Sequence, residues 1–175
     1  HSACIVRWPG VIKPGSVSDA LVEYVDIVPT FVDIAGGKPQ AKVDGESFKP
    51  VLTGKKKEHK KYSFSLQTTR GINAGSPYYG IRSVYDGRYR YIVNLTPEAT
   101  FQNVETKSPL FKEWKSLAET DSHAKAMTTK YQHRPAIELY DVKNDPYCMK
   151  NLAEDAKQAS TISRLDKELK RWMKD

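Results

Sequence analysis

Two β-prone runs flank the dipeptide Asp86-Gly87 in the second half of the chain. Residues 79–85 and 88–95 are rich in Tyr, Ile and Val, which favour strands. An Asp-Gly pair between two such runs is a strong signal for a two-residue hairpin turn, because the turn needs residues that tolerate a positive φ. This feature predicts an antiparallel sheet in the second half.

Further elements of that half follow from periodicity. Alternation predicts a strand over 62–67, and residues 136–142 form a fourth strand candidate. Helical spacing predicts a largely helical stretch over 108–130 and a closing helix over 154–173. The residues expected on the inner faces of the two helices are Leu110, Trp114 and Leu117 in the first, and Ile162, Leu165, Leu169 and Trp172 in the second.

The first sixty residues predict a mixture of short strands and a helix. Residues 3–8 predict a short buried strand that ends at Pro9-Gly10, and Cys4 within it is expected to be a small core residue. Residues 20–25 are again strand-like. Asp26 is expected to cap a helix of about ten residues that stops at Gly36-Gly37.

A basic run over 55–61 is interpreted as a solvated boundary. The predicted organisation is therefore α/β: residues 1–60 are the end of an α/β domain, and residues 61–175 form a subdomain of about four antiparallel strands packed with helices.

The net charge of +7 and the pI of about 9.3 favour anionic partners. A nucleic-acid module would interleave aromatic residues with its basic patch, whereas Tyr62 and Phe64 alternate as one strand face, so no nucleic-acid partner is expected. A non-catalytic module for anionic polymers stays open. No run approaches the roughly 18 apolar residues that a membrane span needs. The two cysteines and His59, His123 and His133 lack the spacing of metal ligands.

Several segments resemble the sulfatase family, in the family's order and spacing. They are Ile5-Val6-Arg7-Trp8-Pro9-Gly10, Val25-Asp26-Ile27-Val28-Pro29-Thr30, Asp33-Ile34-Ala35-Gly36, Asp44-Gly45-Glu46-Ser47-Phe48, the hairpin Gly80 to Ile92, and Glu138-Leu139-Tyr140-Asp141 with Asn144-Asp145-Pro146 and Asn151-Leu152-Ala153. The insert from Asn94 to Trp114 is similar to the N-sulfoglucosamine sulfohydrolase (sulfamidase) branch.

This resemblance implies that residues 1–60 close an alkaline-phosphatase-like catalytic domain and that residues 61–175 are the C-terminal subdomain of a sulfatase. The intact enzyme would hydrolyse sulfate esters or sulfamates of a sulfated sugar or glycosaminoglycan. A phosphoester hydrolase of the same superfamily is the alternative. The family implies a periplasmic or secreted enzyme, or a lysosomal one in a eukaryote. The upstream catalytic domain of the same protein would be a partner of this part.

The family's chemistry uses a formylglycine made within C/S-x-P-x-R and a calcium ion held by Asp and Asn oxygens. Neither that motif nor the paired acidic ligands occur in the sequence. We therefore expect no catalytic or metal-binding residue here, and we expect formylglycine and calcium to belong to an upstream part of the intact enzyme.

Substrate contact is what this part is expected to supply. Gln67, Thr68 and Arg70 follow a predicted strand, and an arginine can bind sulfate or carboxylate oxygens with two parallel hydrogen bonds. Gln67 stands where relatives often carry His, and Cys148 where Glu is usual. The sugar-acceptor motif Asn94-Leu95-Thr96 predicts a glycan only in a host that glycosylates.

Two alternatives stay open for His1 beside the first strand: it lies at the edge of the active site, or it is only the end of a fragment or a tag remnant. Arg82, Arg88 and Arg90 are expected to be surface residues of the hairpin, and Asp141 and Asp145 are expected to cap turns.

Overall fold

The computed structural model describes residues 4–38, 43–68 and 78–174. The chain divides into two compact units, His1–Ser63 and Phe64–Asp175. The sequence placed the boundary at residues 60 and 61. The assignment of the units to a catalytic domain and a C-terminal subdomain stays a prediction.

The described part of the first unit contains helices and no extended strand. A 3-10 turn over Tyr24–Asp26 leads into α1 (Ile27–Ile34), and α2 spans Lys49–Leu52. Leu21 and Lys60 form an isolated antiparallel bridge. α1 ends before Gly36, whose φ of +76° suits a glycine that terminates a helix.

Two strand predictions in the first unit are wrong. Residues 4–8 have no strand structure and Ile5 is 93% exposed. Cys4 is also exposed, so it is not a core residue. Residues 20–25 contribute only the bridge at Leu21 before the 3-10 turn begins. A strand forms only where a neighbour pairs with its N–H and C=O groups, and the described residues of this unit offer none to either run beyond Leu21.

The second unit contains the predicted sheet. Its strands are β1 (Ser63–Gln67), β2 (Ile81–Tyr85), β3 (Tyr89–Asn94) and β4 (Ile137–Asp141), in the spatial order β1-β2-β3-β4. β2 and β3 pair antiparallel with Tyr85 opposite Arg90, and β4 pairs antiparallel with β3. Asp86 N donates to Tyr89 O, so the two central residues of the turn are Gly87, at φ +93°, and Arg88, one residue later than the predicted Asp86-Gly87 pair. The predicted antiparallel sheet with helices is therefore confirmed.

Helices cover both faces of this sheet. On one face a buried cluster forms around Ile81, Ile92 and Tyr140, and Tyr131 of α4 (Ser122–Gln132) contacts its member Phe101. On the other face Leu165 and Leu169 of α5 (Ala159–Trp172) are fully buried. α5 also binds the sheet through Tyr91, whose hydroxyl donates to Asp166 Oδ1 at 3.2 Å.

The helical stretch over 108–130 differs in detail from the prediction. It consists of α3 (Pro109–Leu117) and α4, separated by residues 118–121. Leu110, Trp114 and Leu117 are exposed, and Phe111 is the residue that α3 buries. The closing helix begins later than predicted, because residues 156–158 form a 3-10 turn. No helix in the described ranges is long and apolar enough to cross a membrane.

Candidate functional site

The predicted substrate-contact residues lie where β1 ends beside the start of β2. Gln67 is the last residue of β1 and is half-buried, and Thr68, which follows it, is exposed. Arg82 lies beside them on β2. Its Nη1 donates to the backbone oxygens of Ile81 at 2.9 Å and of Gln67 at 3.3 Å. We call Gln67, Thr68, Ile81 and Arg82 the strand-end corner. Arg70 lies outside the described residues.

The chain returns to the sheet through Tyr78 and Tyr79. Tyr79 is fully buried and meets the ring of Phe101 edge-on, with 5.2 Å between the ring centres. Gly80 accepts a hydrogen bond from Leu95 N at 2.9 Å, and Thr96 Oγ1 donates to Tyr78 O at 3.2 Å. Gln67 is therefore bonded to β2 through Arg82, and residues 78–80 are bonded to the chain just after β3.

The three hairpin arginines differ in their partners. Arg88 forms two hydrogen bonds with Asp141 Oδ2, the shorter at 2.8 Å, and its guanidinium lies over the ring of Tyr89. Arg90 lies over the ring of Tyr85, 5.7 Å from its centre. Neither Arg82 nor Arg90 forms an ion pair with a carboxylate in the part of the chain that the structure describes.

Asp141 and Asp145 have the structural role that the sequence predicts. Besides binding Arg88, Asp141 accepts from the backbone and side chain of Asn144. Asp145 Oδ2 accepts from Lys150 N at 2.8 Å. These bonds hold the turn after β4.

A buried polar network lies beneath the sheet's first face. Glu138 is 3% exposed and accepts from Arg134, Asn94 and the hydroxyl of Tyr140, the last at 2.5 Å. Burial raises the pKa of the Glu138 carboxyl, but the bonds from Arg134 and Tyr140 outweigh it and hold that pKa below its ordinary value. The sequence flagged Glu138 only as part of a motif, because the partners are distant along the chain.

The sugar-acceptor motif coincides with this network. Asn94 is 2% exposed, and its Nδ2 donates to Glu138 Oε1 at 2.7 Å and to Pro135 O at 2.6 Å. A glycan would have to be attached to that same nitrogen. In the folded protein Asn94 is therefore a structural residue and not an accessible acceptor.

A second polar cluster, missed at the sequence level, lies in the first unit. Asp26 is fully buried, and its carboxylate accepts from Lys60 Nζ at 2.7 Å and from the backbone N–H groups of Glu23 and Glu46, both at 2.9 Å. His59 Nε2 lies 3.3 Å from Asp26 Oδ2.

Two predictions are therefore wrong. The Asp26 side chain does not cap α1, because its carboxylate is committed to these donors. Lys60 and His59 are not part of a solvated run, since their side chains are 18% and 7% exposed. Burial raises the pKa of Asp26, but the bonds from Lys60 and the two backbone groups bring it below its ordinary value.

The described residues do not fit a metal centre. Within residues 4–38, 43–68 and 78–174, no three His, Cys, Asp or Glu side chains come together in a way that could hold an ion. Each acidic side chain of the two networks is already bound to cationic or N–H donors. His1 lies outside the described residues.

Comparisons with known proteins place the chain. Residues 1–128 match the family described as N-sulphoglucosamine sulphohydrolase, C-terminal. The chain belongs to this sulfatase family. It is 37% identical over 170 residues to an ulvan-active sulfatase of Formosa agariphila, a match that covers 97% of the chain and 32% of the relative. It is 26% identical to human N-sulphoglucosamine sulphohydrolase, over 94% of the chain and 37% of that enzyme. The chain thus spans about a third of the length of these curated relatives.

Solved structures share the sulfatase fold. A protein in complex with its substrate D-glucosamine-2-N,6-O-disulfate has a TM-score of 0.66 at 23% identity, over 97% of the chain and 27% of that protein. A phosphonate monoester hydrolase from Silicibacter pomeroyi has a TM-score of 0.58 at 22% identity, over 94% of the chain and 27% of that protein. At these identities the likeness concerns the fold alone.

Proposed function

We propose that the intact protein is a sulfatase that hydrolyses sulfate esters or sulfamates of a sulfated sugar, and that this chain forms its C-terminal part. The observation that carries the proposal is the family match over residues 1–128, together with 37% identity to a named sulfatase along 97% of the chain. The relatives named so far act on different sulfated sugars, so the proposal extends to the class of substrate and not to one sulfated position.

The reacting groups are assigned to the rest of the protein. The sequence lacks C/S-x-P-x-R, and the described residues hold no metal cluster. Formylglycine would supply the nucleophile that attacks sulfur, and calcium would bind the sulfate oxygens. Neither group is assigned a residue of this chain.

The remainder of the protein is also the proposed partner of the first unit. Tyr24, Val28 and Phe31 follow helical spacing and are 79%, 63% and 66% exposed. Ile5 is exposed as well. Apolar stripes of this kind are normally covered, and the relatives extend well beyond these 175 residues. We assign the cover to the catalytic domain of the same protein.

The role proposed for the second unit is to contact the sugar at the strand-end corner. Gln67 and Thr68 present an amide and a hydroxyl at the end of a strand, and Arg70 follows two residues later. These groups suit hydrogen bonding to sugar hydroxyls and anionic oxygens. By family resemblance, we place the enzyme in the periplasm, outside the cell or in a lysosome.

The test is sulfate release by the intact protein. N-sulfoglucosamine, N-acetylglucosamine 6-sulfate and ulvan oligosaccharides form the substrate panel, with a phosphomonoester and a phosphonate monoester as controls. Sulfate release from at least one sugar, with no comparable phosphate or phosphonate release, supports the proposal. Preferential cleavage of a phosphorus ester, or binding of heparin and DNA with equal salt dependence and no hydrolysis, rejects it.

The proposed contact of Arg70 with the substrate is tested with a separate variant. Arg70→Ala is expected to lower kcat/KM on the natural glycan, because a charge-assisted contact is lost. An unchanged kcat/KM would remove Arg70 from the site while leaving the sulfatase assignment intact.

A further inference from the structure

The guanidinium of Arg82 is held at the strand-end corner by two backbone carbonyl groups, the hydrogen-bond partners that the described part of the chain supplies. Its Nη1 donates to Ile81 O and Gln67 O. A guanidinium carries five N–H donors in a planar fork, and these two bonds leave the donors on Nε and Nη2 for other acceptors. Within the described residues, no further hydrogen bond or ion pair involves Arg82.

Among residues 4–38, 43–68 and 78–174, no carboxylate forms an ion pair with this guanidinium. Arg82 is half-buried, and the neighbouring Gln67 and Thr68 are neutral. Arg88, Arg134 and Arg164, by contrast, each bind a carboxylate: Asp141, Glu138 and Asp86. A half-buried cation bound only to carbonyl oxygens gains more from an oxyanion than a paired one does, because the charge is not yet compensated.

We propose that Arg82 binds a second anionic group of the sugar substrate, a sulfate or a carboxylate that is not the one being hydrolysed. The inference rests on the proposed sulfatase function and deepens it by naming a specificity-determining residue. The reacting sulfate requires the groups assigned to the rest of the protein, so the oxyanion at Arg82 is a different one. Gln67 and Thr68 offer neutral hydrogen bonds beside it.

The experiment compares Arg82→Gln with Arg90→Gln in the intact enzyme. Arg90 is a matched control, because it is also half-buried on the hairpin, also lacks a carboxylate partner in the described part of the chain, and lies at the opposite end of the β2–β3 pair. Glucosamine 6-O-sulfate and glucosamine 2-N,6-O-disulfate form one substrate pair. A sulfated disaccharide with a uronic acid and its carboxyl-reduced form provide the other.

Arg82→Gln is expected to raise KM by about 10- to 100-fold for the member of a pair that carries the extra anion, as expected for a lost hydrogen bond to a charged group. KM for the member without it, and kcat for both, should stay within about threefold. The pair that responds identifies the group as sulfate or carboxylate. Arg90→Gln should leave all values near those of the unmodified enzyme.

An equal change in KM or kcat for both members of each pair overturns the inference, since that result marks Arg82 as a residue that only holds the strand end. No change in any substrate overturns it as well. If Arg82→Gln does not fold, Arg82→Lys provides the test, because it keeps the charge but loses the fork, and the increase confined to the doubly anionic substrate should be smaller.

A different result would show that the proposed sulfatase function itself is wrong. In that case the unmodified intact protein releases no sulfate from any sugar. Direct binding of the disulfate to the unmodified protein, Arg82→Gln and Arg90→Gln then decides the anion site alone: selective loss in Arg82→Gln upholds it, and equal binding by all three removes it.

Discussion

Gly45 packs directly against the backbone of Val25. A Cβ atom at position 45 would lie 1.9 Å from Val25 O and 2.8 Å from Asp26 N. Distances this short exclude any side chain, and the backbone group cannot move aside as a flexible side chain can. The contact brings the segment that contains Glu46 to Asp26, where Glu46 N donates to the buried carboxylate. It also explains why a glycine occupies this position of the Asp-Gly-Glu-Ser segment.

Gly45→Ala is therefore expected to destabilise the first unit by about 3 kcal/mol or more, because the methyl group forces the backbone apart. Amide hydrogen exchange of α1 in the intact protein measures the local free energy of opening. Gly54→Ala is the control: Gly54 has φ +71° with open space around it, so the expected cost is about 1–2 kcal/mol. Equal effects of the two substitutions would contradict the packing argument.

Lys60→Met is expected to cost about 3–5 kcal/mol in the first unit. The Lys60 ammonium contacts both Asp26 and Glu23 at 2.7 Å, and its removal leaves the fully buried Asp26 without its closest cation. The same hydrogen-exchange measurement detects the loss. Lys57→Met, at an exposed position of the same basic run, should change stability by less than about 0.5 kcal/mol. Equal tolerance of both substitutions would mean that Lys60 is solvated after all.

The Glu138 network predicts acid sensitivity of the second unit. The pKa of Glu138 in the folded protein lies below its ordinary value of 4.5, so its contribution is complete above that pH. The contribution is lost as the pH falls from about 4.5 through the lower, folded-state pKa. Urea unfolding monitored by hydrogen exchange at β3 and β4, between about pH 3 and pH 7, measures this loss.

Glu138→Gln should be less stable than the unmodified protein at neutral pH, by about 3–5 kcal/mol, because the half-buried Arg134 loses the carboxylate that neutralises its charge. Its stability should depend less steeply on pH in the acid range. Glu119→Gln, at an exposed position, should keep the original pH profile. A Glu138→Gln profile parallel to that of the unmodified protein would refute the assignment.

Phe111→Ala is expected to destabilise the second unit by about 3–4 kcal/mol, whereas Leu110→Ala should cost less than about 1 kcal/mol. Phe111 is 6% exposed and contacts the rings of Trp114 and Tyr131, while Leu110 is 74% exposed. Thermal unfolding of the two variants gives the comparison. A larger loss for Leu110→Ala would restore the helix orientation that the sequence predicted.

Local sequence signals were sufficient to predict most of the strands and helices of the second unit. The Asp86-Gly87 pair predicts the position of the hairpin to within one residue, because Gly87 supplies the positive φ that the turn needs. The spacing of Leu165 and Leu169 identifies the buried face of α5. α3 was oriented wrongly because Leu110, Trp114 and Leu117 form a helical stripe as regular as a core-facing one. Periodicity shows that a helix has an apolar stripe, but not whether another element covers it.

Non-local contacts explain the other misses. Asp26 and Lys60 are far apart in sequence, so composition assigned one to a helix cap and the other to a solvated run. Residues 4–8 are apolar enough for a strand, but their conformation depends on a pairing partner that the described part of the first unit does not contain. At the strand-end corner, the sequence located Gln67 and Thr68 beside a strand end but gave no sign that Arg82 bonds to the same end.

The burial of Asn94 has a practical consequence for producing the protein. A eukaryotic secretory pathway attaches sugar to nascent chains, and it can modify the Asn-Leu-Thr triplet before the sheet has folded. An oligosaccharide added at that moment would occupy the nitrogen that later bonds to Glu138 and Pro135, and it could not be accommodated at this buried position. Protein secreted from such a host would therefore include glycosylated chains that cannot pair β3 with β4. Expression in bacteria that do not glycosylate this triplet avoids the problem.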